Sequence, residues 1–158
     1  MNKYHYIEAP FEAPNKIDWN KTIFLGGSIT GSWDWQAHAT AKLKDHFNIF
    51  NPRRAKFDVN DKGVELEQIS WEYQCLRSCS ILLFYFSHET LAPITLFEYG
   101  GALERLKTVS YLKIYCAIHP EYKRKNDVII QTNLIAPQIM RNLSLDLDQT
   151  IEKIIKEN

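Results

Sequence analysis

The sequence has no surplus of charge of either sign: nineteen lysines and arginines balance nineteen aspartates and glutamates. That balance leaves no basic footprint for a nucleic acid polymer or an anionic membrane. Long apolar runs are missing too, and the longest falls far short of the roughly 20 residues that a membrane helix needs. The opening M-N-K-Y-H-Y-I-E-A-P has none of the apolar stretch of a signal peptide, so the cytoplasm is the expected location. Cysteine is scarce, at Cys75, Cys79 and Cys116, and the odd count argues against a disulfide framework. Cys75 and Cys79 are four apart with no second pair at ligand spacing, so they read as small buried residues. The five histidines are scattered, without an H-E-x-x-H pattern, and neither a metal nor a cofactor is expected. No internal repeat, low-complexity tract or interdomain linker breaks the chain.

What is present is an alternation of short apolar runs with helical patterns over 158 residues, enough for one α/β domain built on a parallel sheet. Residues 1–20 have two prolines and no sustained period, and read as an arm packing along the body. Strands are expected at 22–26, 48–50, 81–87, 111–118 and 127–131, with 81–87 (I-L-L-F-Y-F-S) at the sheet centre. Helices are expected at 33–46, capped by Ser32 or Asp34, at 64–79 and after residue 90, with a last amphipathic one at 147–156. Leu66, Ile69, Tyr73, Leu76 and Ser80 fall on one stripe of the second helix, which is read as its core face. Glu72 lies roughly 80° from that stripe at 100° per residue, on the boundary. Gly100 and Gly101 each cost a helix about 1 kcal/mol against alanine, so close packing against a strand or a second subunit is expected there.

Chemistry-bearing residues gather where strands end. The loop G-G-S-I-T-G after the first strand is neither G-x-G-x-x-G nor a P-loop, since no Lys-Ser/Thr follows its last glycine. Gly27, Ser28 and Ile29 there offer backbone N–H groups and a hydroxyl to a sugar or phosphate. Trp33 is placed to stack on a planar base. Asn51, Arg53 and Arg54, in N-P-R-R, end the second strand and suit a substrate contact or an ion pair with a site carboxylate. Asp58 belongs to the polar stretch 56–63, read as a flap over the mouth of the sheet. Glu98, in P-I-T-L-F-E-Y-G, is expected in or near the first turn of its helix, where the positive helix end favours an ionised carboxylate.

Taken together, N-P-R-R, W-E-Y-Q-C-L and P-I-T-L-F-E-Y-G, in this order, resemble the nucleoside 2-deoxyribosyltransferase superfamily, specifically its deoxyribosyltransferase-like branch, over about residues 21–118. The resemblance implies a flavodoxin-like or Rossmann-like three-layer sandwich on a five-stranded, mainly parallel sheet. It also implies cleavage of an N-glycosidic bond, with Glu98 as the nucleophile that forms a glycosyl ester and Glu72 as its catalytic support, where better-known members carry Asp. The partners it implies are a nucleoside or nucleotide and a free nucleobase, in a homo-oligomer. Members acting on 5′-monophosphates carry small residues before the nucleophile and a basic residue in the first loop. Ala92, Ile94, Leu96 and Thr30 stand in those places here, which leaves Arg53 or Arg54 as the route to a phosphate.

Three readings follow. The first is transfer of the sugar to another base, and the second is hydrolysis of a nucleoside 5′-monophosphate through the same intermediate. The third is a nucleotide-binding module without turnover. The enzyme readings require Glu72 and Glu98 to face one pocket.

Overall fold

The computed structural model describes residues 3–56 and 60–158. Its centre is β4 (Ile81–Phe86), buried at every position. A run apolar on both faces needs cover on both, which a parallel sheet with crossover helices supplies. β4 lies between β2 (Thr22–Gly27) and β5 (Lys113–Ile118), and β3 (Asn48–Asn51) flanks β2. The edges are β1 (Tyr6–Glu8) and β6 (Leu143–Ser144), giving the order β1-β3-β2-β4-β5-β6 with every pair parallel. The sheet therefore has six strands rather than five.

Two of the six differ from the sequence expectation. The N-terminal arm contributes β1, whose Ile7 pairs with Phe50 and is buried. Residues 127–131 are not a strand but part of α4 (Lys125–Ile135). D-V-I-I-Q is a short apolar run that periodicity alone cannot assign; in the helix Val128 and Thr132 turn inward while Ile130 stays exposed. The fifth paired strand of the body is instead β6, too short to stand out from its surroundings.

Helices α1 (Trp35–Leu43) and α5 (Leu147–Glu157) cover one face through Trp35, Ala39, Leu43, Ile151 and Ile154. Asp34 caps α1, accepting the Ala37 N–H at 2.9 Å. The other face carries α2 (Lys62–Ser78), α3 (Pro93–Arg105) and α4. All three cysteines are buried and unlinked, and burial pushes the Cys75 thiol up to about 12, consistent with packing residues.

The buried face of α2 is not the one with the most apolar residues. Gln68, Trp71 and Cys75 turn inward, whereas Leu66, Ile69 and Tyr73 are exposed, Leu66 at 69%. Trp71 decides this. Its ring lies 6.4 Å from Phe24 and 6.2 Å from Phe50, and its N–H donates to the Phe11 carbonyl at 2.9 Å, pinning the arm. One large ring fitted between two others outweighs three side chains that the chain itself leaves uncovered.

The glycines divide the same way. A Cβ on Gly27 would sit 2.6 Å from the Trp35 ring and 2.7 Å from the Tyr85 carbonyl, so β2 can approach its neighbours only without one. Among the described residues, neighbours within their own helix aside, nothing lies within 4 Å of a Cβ placed on Gly100 or Gly101, so close packing against a strand does not account for them. Urea midpoints are expected to fall for Gly27→Ala, by about 1–3 kcal/mol from overpacking. For Gly101→Ala they are expected to rise by up to about 1 kcal/mol. A loss for both would mean that α3 is covered in solution.

Candidate active site

In this strand order the connections leave in opposite directions from between β2 and β4, so the crevice at their C-terminal ends is where a doubly wound sheet binds ligands. Two groups of linked side chains hold the candidate residues, one from each helical layer.

The first is a carboxyl pair. Glu72 comes from α2 and Glu98 from α3, both partly buried, and their side chains are hydrogen-bonded to each other. Glu98 is the sixth residue of α3, in its second turn rather than its first, so the helix end does not govern its charge. Burial, then the Glu72 charge and its hydrogen bond, push the Glu98 carboxyl up to about 8. This reverses the expectation of an ionised resting Glu98: desolvation and a like charge outweigh the dipole, which fades beyond the first turn.

Burial raises Glu72 as well, but three neighbours oppose it: the Gln68 amide, the Glu98 hydrogen bond and the Arg54 guanidinium. Gln68 is held in turn, donating to the Pro52 carbonyl at 2.8 Å as well as to Glu72. Arg54 also pairs with Glu67 at 2.6 Å. The pair thus favours keeping its proton on Glu98, with Glu72 as the accepting carboxylate.

The second group belongs to the loop after β2. The Ser28 carbonyl accepts from Ser32 Oγ at 3.0 Å, Trp35 Nε1 at 3.2 Å and Gln36 Nε2 at 3.3 Å. Three donors on one oxygen fix the turn. Among the described residues the buried Ser28 Oγ has no hydrogen-bond partner, a costly state for a hydroxyl unless a ligand meets it. Arg53 closes the loop from β3. Its Nε donates to Gln36 Oε1 at 3.0 Å and lies 3.3 Å from Asp34, and its Nη2 donates to the Trp33 carbonyl at 3.0 Å.

The two arginines of N-P-R-R therefore part: Arg54 serves the carboxyl pair and Arg53 the loop. Asn51 joins neither directly. Its Oδ1 accepts the Arg53 N–H and its amide donates to Tyr6 Oη, both at 2.9 Å, so it shapes the strand end. Gly27 is filled by Trp35 on its Cβ side, and Ile29 is partly buried in the loop. Trp33 is 42% exposed and stands edge-on to Tyr85 and His38, leaving ring surface open to solvent. Asp58 lies outside the described residues.

Sequence reasoning missed Gln68, Gln36 and Glu89. Gln68 carried a signal, standing four residues before Glu72 on the same helix face. Glu89 accepts the Trp33 N–H at 2.9 Å and the Ser87 hydroxyl at 2.8 Å, tying the exit of β4 to the loop of β2. Tyr85 of β4 and Tyr99, next to Glu98 in sequence, face elsewhere. Tyr85 packs on Trp35 in the opposite layer, and Tyr99 meets Thr132 at 3.0 Å between Phe84 and Phe86.

A carboxyl raised in the folded state binds its proton more tightly there than in the unfolded chain. Its contribution to stability is full below about pH 4 and is lost as pH rises towards 8. Glu98→Gln removes that titration while keeping a donor towards Glu72. It is expected to exceed the parent in stability at pH 8 by more than about 1 kcal/mol, with the gap closing towards pH 5 in urea midpoints. A gap independent of pH would place the Glu98 carboxyl in the ordinary range.

A protein-family model described as "Nucleoside 2-deoxyribosyltransferase like" matches residues 20–114. The comparison with curated proteins gives no match. The matched segment runs from just before β2 into β5 and includes Ser28, Arg53, Arg54, Glu72 and Glu98. It covers well over half of the chain, and the protein belongs to the nucleoside 2-deoxyribosyltransferase-like family.

Proposed function

We propose that the protein cleaves the N-glycosidic bond of a (deoxy)nucleoside through a sugar ester on Glu98 and passes the sugar to a second nucleobase. The observation that carries this reading is the hydrogen-bonded pair of Glu72 and Glu98 with Glu98 raised to about 8. Glycosyl transfer by retention needs a carboxylate to attack the anomeric carbon and a proton for the departing base. A pair holding one proton supplies both. When the proton passes from Glu98 to Glu72, Glu98 becomes the nucleophile and Glu72 the acid. The C1′–N bond breaks as the Glu98 ester forms, and the Glu72 proton goes to the leaving base. The incoming base returns a proton to Glu72 as its nitrogen attacks C1′ and releases Glu98.

The loop after β2 is the sugar side in this reading, with Ser28 Oγ free to bond a hydroxyl. The exposed face of Trp33 is the stacking surface for a base. Arg53 commits its Nε and Nη2 donors to Gln36, Asp34, Ser32 and Trp33, which disfavours a two-pronged grip on a 5′-phosphate from that residue and so favours a nucleoside.

The homo-oligomer belongs to the same proposal. Phe97, 83% exposed, and Ile94 stand on α3 beside Glu98, and Leu66, Ile69 and Tyr73 on the outer side of α2. With open Cβ directions at Gly100 and Gly101, this is a surface that a second copy would cover. Among the described residues no helix is long and apolar enough to cross a membrane, and a cytoplasmic role in nucleotide salvage follows from the proposed reaction.

The test is base exchange read by chromatography, with deoxyadenosine, deoxycytidine and deoxyuridine each offered a different free base and 5′-monophosphates run in parallel. A new nucleoside is expected, with a loss of at least about 1,000-fold in Glu98→Ala and about 100–10,000-fold in Glu72→Gln. Free base and sugar without exchange would make the enzyme a hydrolase. Binding of a nucleotide without any turnover would overturn both enzyme readings.

A further inference from the structure

Adjacent parallel strands β4 and β5 stay paired up to Phe86 and Ile118, and the chain leaves both at the same edge. The His119 N–H continues the ladder by donating to the Phe86 carbonyl at 2.9 Å. This rigid join brings together two histidines that are far apart in sequence. The rings of His88 and His119 lie 4.1 Å apart between centroids and 33° from parallel. Glu121 follows in the turn after β5, and one ligand atom from each of His88, His119 and Glu121 lies within 4.8 Å of the others.

We propose that these three residues bind a divalent transition ion of the zinc class and so clamp the loop leaving β4 to the loop leaving β5. Two imidazole nitrogens and one carboxylate oxygen suit Zn²⁺, Co²⁺, Ni²⁺ or Cu²⁺, not the all-oxygen shells of Mg²⁺ and Ca²⁺. Ligand bonds of about 2.0–2.2 Å in a tetrahedron place the ligand atoms roughly 3.4 Å apart. The present spacing therefore closes by small side-chain movements. His88 and Glu121 are exposed, so an ion reaches them from solvent, and three protein ligands leave a fourth position for water.

The Nδ1 of His119 accepts the Glu121 N–H at 3.2 Å, a long bond that metal binding at this ring has to displace. The backbone around the site is braced independently. The Tyr122 N–H donates to the His119 carbonyl at 2.9 Å, and Tyr122 Oη to the Leu91 carbonyl at 2.8 Å. The same two loops are thus linked once by a tyrosine and, when loaded, a second time by the ion. Leu91 and Ala92 lead into α3, so the clamp acts on the segment that sets the start of the helix carrying Glu98. The ion is assigned no step in the proposed transfer, and its binding stands or falls separately from that reading.

The experiment is a zinc titration of the chelator-stripped full chain at pH 7.5, in competition with a chromophoric chelator. His88→Ala, His119→Ala and Glu121→Gln are run beside it, each checked by circular dichroism. One equivalent of Zn²⁺ is expected, with affinity falling at least about tenfold in each variant. The melting temperature is expected to rise with zinc in the parent and not in His88→Ala, because an ion bound only by the folded state stabilises it. No zinc bound, or equal binding in the parent and in both His88→Ala and Glu121→Gln, would overturn the site. The contact between the two rings would then be imidazole stacking only.

Discussion

One proton shared by two half-buried carboxyl groups is the constraint on which the rest of the site depends. Placing two like charges in hydrogen-bond contact inside a fold is costly unless one is neutralised. The chain meets that condition from both sides. Gln68 and Arg54 favour charge on Glu72, while burial on α3 keeps Glu98 protonated. Each of those neighbours has its own fixed partner: Gln68 the Pro52 carbonyl and Arg54 the Glu67 carboxylate. The pair is therefore positioned through the end of β3, and N-P-R-R matters as much for what it orients as for what it could bind.

The group in the other helical layer is organised around an oxygen rather than a proton. The Ser28 carbonyl gathers donors from Ser32, Trp35 and Gln36, and Arg53 ties Gln36 back to β3. Glu89 adds the exit of β4 to the same loop. The loop is thus held by side chains buried in the α1 layer, while Ser28 Oγ meets no partner among the described residues. The two groups are built from different helical layers.

Much of this was legible in the sequence because the relevant signals are local. The central strand announced itself as an unbroken apolar run, Ser32 or Asp34 as the cap that proves to be Asp34, and the motifs around Glu72 and Glu98 marked two carboxyls that the fold brings together. The failures share a cause. The stripe Leu66, Ile69 and Tyr73 is the more apolar side of α2, but which side a helix buries is decided by fit to the layer beneath, and Trp71 fits between Phe24 and Phe50. D-V-I-I-Q reads as a strand until Val128 and Thr132 find the core one turn apart. The protonation of Glu98 depends on a neighbour supplied by another helix, which no reading of its own helix contains. The pairing of His88 with His119 was hidden for the same reason, since only the register of β4 against β5 brings them together.

The most direct measurement is a carbon-13 NMR titration of the glutamate side-chain carboxyls, with Glu72→Gln and Glu98→Gln used to assign the two signals. The account predicts that the Glu98 carboxyl titrates near pH 8 while Glu72 titrates at lower pH, and that the Glu98 midpoint drops when Glu72 is replaced by glutamine. Two independent titrations below about pH 5, neither moved by loss of the other, would mean that the carboxyls do not share a proton, and the account would be wrong at its centre.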